Sequence, residues 1–235
     1  MSAVLKETVG PVVDAAEQRY NIYTVIHKAL RAFMTDTLLK LGNFDPSDEA
    51  ECSAAIAQLR GLLAMCSGHL HHENTFVHAA IERVLPGRAA RTAQDHVQHE
   101  AEIAELEHEV ARFESMPAWQ RGPAARKLYL ELSRFVAENF LHMLVEETEN
   151  HAALIEACDE QQVLQIEHAI VASLPPEAKF AAMQWMIPYC NAKERAFLLG
   201  GMQRNAPQEI FQAVLGLARD SLNQRDYFKL ERALG

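Results

Sequence analysis

The sequence predicts an all-α protein, and three observations carry that prediction. The strong helix formers Ala, Leu, Glu and Gln recur throughout, and these residues lose least on entering helical geometry. Apolar residues return at spacings of three and four rather than in strand-like alternation. Only 10 Gly and 9 Pro occur in 235 residues, and the breaks in the apolar pattern fall at turn signals. The expected architecture is an up-down-up-down four-helix bundle with a C-terminal helical extension.

Each element can be justified in order. A first helix over about 14–41 stops at "LGNFDPSD", where Gly42 can end one helix and Pro46 with Ser47 or Asp48 can open the next. The second then runs to about Leu85. "PGRAA" turns the chain into a third helix, about 89–115, and "SMPAWQRGP" separates it from a fourth, about 122–157. Connections this short favour antiparallel neighbours. After Cys158 the helices shorten, punctuated by "SLPPEAK", "IPYCNAKE" and "RNAPQE", in which the prolines and the Asn191-to-Glu194 spacing mark helix starts. The domain expectation is therefore a bundle over 14–157 and a small helical extension over 158–235. Trp185, Tyr189, Phe197, Phe211, Tyr227 and Phe228 give that extension an apolar surface for packing on the bundle or on a second chain, as a homodimer.

A formal net charge of -10 disfavours nucleic acid and anionic membrane as partners, since both reward concentrated Lys and Arg. No stretch of 18 residues lacks charge or His, and the first residues have no apolar core of signal-peptide length, so the expected compartment is the cytoplasm. Cys52, Cys66, Cys158 and Cys190 form no C-x-x-C pair and read as reduced core residues.

The chemistry concentrates in "SGHLHHENTFVH", residues 67–78, with four histidines and a glutamate in twelve positions. At ~100° per residue His69 and Glu73 stand about 40° apart on one helix face, with His72 beside them. His71 and His78 lie about 200° and 180° from His69 and are expected to face solvent. The fourth helix repeats the pair as His142-x-x-x-Glu146 in "FLHMLVEETENH". His151, nine residues beyond His142, is expected to be a bystander on the same phase argument.

A histidine also precedes each pair on the previous helix. His27 lies 42 residues before His69, and His99 lies 43 residues before His142, so the chain repeats itself. On the third helix His96 is a second candidate, three residues from His99, above a seam of Ile103, Leu106, Val110 and Phe113. So many polar groups converging between helices carry a heavy desolvation cost unless they are satisfied together, which metal coordination does at once. Imidazole with carboxylate suits a pair of iron or manganese ions, and the absence of thiolate argues against a structural zinc site.

This H…HxxxE…H…HxxxE pattern over roughly residues 20–157 resembles the hemerythrin-like, or HHE cation-binding, family. The resemblance implies that His27, His69, His142 and one or both of His96 and His99 are terminal ligands, with Glu73 and Glu146 bridging two irons joined by an oxo or hydroxo group. Manganese or zinc could replace iron in recombinant protein. Oxygen-carrying members place two histidines four apart on the third helix; here the separation is three, which leaves the choice between His96 and His99 open.

The implied function is binding of O2 or another small diatomic such as NO, with no catalytic residue assigned. An iron, redox or oxygen sensor whose C-terminal extension contacts a partner is the alternative. A di-iron oxidase fits less well, because ferritin-like sites carry Glu-x-x-His with lone glutamates, whereas Glu105-x-x-His108 lies off the apolar seam here.

Overall fold

The structure, a computed structural model, describes residues 19–235, and among these every regular element is helical. The chain divides into two compact units. One comprises residues 19–23 with Met34–Ala172, and the other Thr24–Phe33 with Ser173–Gly235.

Helix α1, Thr24–Asn43, contributes to both units; positions 14–18 of the expected first helix lie outside the described residues. Gly42 does not terminate α1. It sits inside the last turn, where a Cβ would come within 3.0 Å of the Tyr129 ring, so its role is close packing. The next helix, α2 over Glu49–His72, opens on Asp48, whose carboxylate accepts from the backbone N–H groups of Ala50 and Glu51. It passes through a π-helical segment, Glu73–His78, into α3, Ala79–Val84. Gly87, at φ 86°, makes the turn into α4, Ala90–Ser115. After a short 3-10 turn, α5 spans Arg121–Val145, and a second π segment, Glu146–Asn150, leads into α6, His151–Ala157. Helix α7, Glu160–Ser173, follows.

Within the first unit α4 packs on α5 and on α2, and α3 packs on α6. Leu59, Leu62 and Leu63 of α2, Leu106, Val110 and Phe113 of α4, and Leu128, Leu132 and Phe135 of α5 are all buried. A second apolar cluster, beyond the π segments, joins Tyr23, Val77, Ile81, Leu154 and Val163. Val163 and the partly buried Ile166 and Ile170 belong to α7, so this unit's core extends past residue 157. Polar residues between the two apolar layers are thereby shielded from water on both sides.

The second unit holds α8 (Pro176–Tyr189), α9 (Ala192–Asn205), α10 (Gln208–Ser221) and α11 (Gln224–Leu234). Asn191 and Glu194 form the expected capping box at the start of α9. The unit has its own core of Ile187, Leu199, Val214, Ala218 and Leu230. Trp185 stacks on Phe33 with centroids 4.2 Å apart, while Phe197 and Phe228 are exposed. All four cysteines are free and buried. Among the described residues no helix is long and apolar enough to cross a membrane.

Candidate metal centre

Four donors of the first unit meet in its interior. Ligand-type atoms of Glu73, His96, His142 and Glu146 lie within 4.8 Å of one another, and all four residues are buried. His69, Glu73 and Glu146 satisfy the same distance limit, so both carboxylates belong to both sets. His69 Nε2 is 3.2 Å from Glu73 Oε1. This pair stands as the i, i+4 spacing predicts, and so does His142 with Glu146, whose Nε2 and Oε1 atoms are 3.2 Å apart.

The tightest grouping involves three atoms. His96 Nε2 lies 3.0 Å from His142 Nε2 and 3.2 Å from Glu146 Oε1, which closes a triangle with the 3.2 Å His142–Glu146 separation. Adjacent ligands around one octahedral ion with bonds of about 2.1 Å stand ~3.0 Å apart, so this triangle matches one face of such an ion. Glu73 Oε2 is a further 3.5 Å from His96 Nε2.

Hydrogen bonds on the far side of each ring decide which nitrogen faces inward. His96 Nδ1–H donates to Asn74 Oδ1 at 2.8 Å, and His142 Nδ1–H donates to Asp95 Oδ2 at 3.3 Å. Neither acceptor can donate in return, so each imidazole in its neutral form carries its proton on Nδ1 and directs its Nε2 lone pair at the carboxylates. A divalent cation offsets two buried carboxylates and accepts converging lone pairs, so the donor set fits a metal ion.

The electrostatics are graded around the centre. Burial alone would lower the His142 pKa, but the Glu146 hydrogen bond and charge, then the Glu73 charge and the Asp95 hydrogen bond, raise it above the ordinary histidine value. Burial first, then the neighbouring histidines, push His78 and His99 down to about 4. The hydroxyl of Tyr23 is held well above its usual range by complete burial and then by the charges of Glu146 and Glu73.

The structure sorts the expected residues. His69, Glu73, His96, His142 and Glu146 come together. His99 is buried too, but it stands outside the two donor sets, with its ring 4.8 Å from that of His142 and edge-on to Phe135. His99 Nδ1 has no hydrogen-bond partner. His27, on α1, is fully buried. Glu105 and His108 are exposed, consistent with their position off the seam.

Two expectations are corrected. His71 is exposed as predicted, but His78 and His151 are buried, at 5% and 4% exposure. The reason is the π segments, which begin at Glu73 and Glu146, the last residue of each HxxxE pair. One residue added to a turn sets everything after it back by about 100°, which brings a side chain expected opposite the site round to the interior. The sequence carries a sign of this, because the repeat is longer than HxxxE. It reads His69-x3-Glu73-x4-His78 and His142-x3-Glu146-x4-His151. Asn74, Thr92, Asp95 and Asn150, which orient the histidines, carry no comparable sequence signature.

No family model, curated protein or solved structure matches this chain.

Proposed function

We propose that this protein is a hemerythrin-like, non-haem di-iron protein that binds O2 or another small diatomic such as NO. In this reading α1, the helix Glu49–Val84, α4 and the helix Arg121–Ala157 form an up-down-up-down four-helix bundle. The single observation that supports it most is that two buried carboxylates, Glu73 and Glu146, each belong to two overlapping His/Glu donor sets. A carboxylate common to two sets is suited to bridging two ions.

His96, His142, Glu73 and Glu146 would hold one ion, and His69 with the same carboxylates the other. His27 joins the second set on the strength of the sequence repeat. Bound iron supplies an open coordination position and the electrons that bind a diatomic. The chain's own contribution is to hold the Nε2 atoms of His96 and His142 towards the ion, to balance cationic charge with two carboxylates, and to exclude water with the apolar layers on either side.

A sensor is the second reading, favoured by the C-terminal unit, which has a core of its own and leaves Phe197 and Phe228 exposed for a partner or a second copy of the chain. Cytoplasmic residence and a homodimer through α8–α11 belong to the same proposal. The test is metal analysis of protein purified without oxygen, followed by visible spectra as air is admitted and removed. About two irons per chain with a reversible absorption band support a carrier; irreversible oxidation supports a sensor or oxidase. A chain without metal refutes both.

A further inference from the structure

We propose that Asn74 is a positioning residue for His96, and through it for one of this centre's two metal sites. The inference rests on the dinuclear reading above. Asn74 directly follows Glu73 in the first π segment, and its Oδ1 accepts two hydrogen bonds, from His96 Nδ1–H at 2.8 Å and from His78 Nδ1–H at 3.1 Å. The two rings stack at 4.9 Å with 19° between their planes. One side-chain oxygen therefore sets the tautomer of both imidazoles.

What each imidazole does with its remaining lone pair differs. His96 Nε2 faces Glu146 at 3.2 Å and Glu73 at 3.5 Å, inside the donor group. His78 Nε2 lies 4.0 Å from Glu146 Oε1 and accepts from Asn150 Nδ2 at 3.3 Å. Asn150 gives its other proton to Thr92 Oγ1 at 2.8 Å, and the Thr92 hydroxyl donates to the Ala89 carbonyl at 3.1 Å. His78 is thus held by its own hydrogen bonds beside the centre, as a support for His96.

In the second repeat Glu147 occupies the place of Asn74, one residue after the motif glutamate. Asn74 acts on the half built from His96 and His142. Without it, the His96 proton can move to Nε2 and bond to Glu146 Oε1, which blocks the lone pair that a metal needs. Loss of such a supporting hydrogen bond typically weakens metal affinity by about 10- to 100-fold.

The experiment is an anaerobic titration of the full chain with Co(II), a coloured probe, followed by visible absorption and calorimetry. Wild type should take two equivalents. Asn74→Leu should keep one equivalent at wild-type affinity and weaken the other by about 10- to 100-fold, with the visible band of that equivalent altered. Asn74→Asp, which restores the acceptor, should recover both. Circular dichroism checks folding, and if Asn74→Leu does not fold, Asn74→Ala withdraws the acceptor with a smaller change and should give the same split. Two unchanged equivalents in Asn74→Leu or Asn74→Ala, equal weakening of both, or no recovery with Asn74→Asp would overturn the role of Asn74. Wild-type protein that takes up no cobalt would overturn the metal-centre reading itself.

Discussion

Replacing Glu146 by Gln should have opposite effects with and without metal. The side chain is fully buried, and its Oε1 lies 3.2 Å from two histidine nitrogens and 4.0 Å from a third. Gln keeps the shape but removes the charge. If losing a supporting residue costs up to 100-fold in metal affinity, losing a shared carboxylate should cost at least ~100-fold. At free metal 100 times the wild-type Kd, binding stabilises the fold by ~2.7 kcal/mol, and at a Kd raised 100-fold by only ~0.4 kcal/mol. The difference of ~2.3 kcal/mol corresponds to about 5–9 °C in Tm for a chain of this size. Without metal at pH 8, the Gln variant should be as stable as wild type or ~1 kcal/mol more stable, because a buried charge has gone and the amide can donate to the histidine lone pairs. Thermal denaturation of both proteins, with chelator and with metal, measures the two differences. An equal metal-induced rise in Tm in variant and wild type would refute the reasoning.

Three further outcomes follow from the same geometry. His96→Ala should lose metal by elemental analysis, whereas His99→Ala should retain it, since His99 stands outside the donor sets; the reverse result would reassign the third-helix ligand. The metal-free protein should lose stability as pH falls from ~6.5 towards 4, because His78 and His99 titrate at about 4 when folded and near the ordinary histidine value when unfolded. Each folded-state pKa is depressed, so the unfolded chain binds more protons in that window. The two histidines together steepen the loss to at most ~2.7 kcal/mol per pH unit, readable by urea denaturation at several pH values. Ending the chain near Asp159 removes Val163, Ile166 and Ile170 from the apolar cluster around Tyr23 and should cost ~3 kcal/mol or more in chemical denaturation. A chain ending at residue 172 keeps these contacts and should be the more stable of the two.

The sequence by itself determined the helical class, because helix-forming composition and three-four apolar spacing are local properties that each segment carries alone. It also determined the His-to-Glu pairs, since i, i+4 neighbours share a helix face wherever the helix lies, and it marked Ser47 or Asp48, and Asn191, as helix starts. Tertiary structure decided what depends on phase and on partners. The π segments at Glu73 and Glu146 leave no composition signal, yet they turn His78 and His151 from the surface to the interior. His96 and His99 are three residues apart on one buried face, and only the packing of α4 on α5 brings His96 to Glu146 and sets His99 beside Phe135. The acceptors Asn74 and Asp95 lie 22 and 47 residues from the histidines they orient. A hydrogen bond across such a separation exists only once the helices are packed, so the protonation pattern that readies this centre for a cation is a property of the fold.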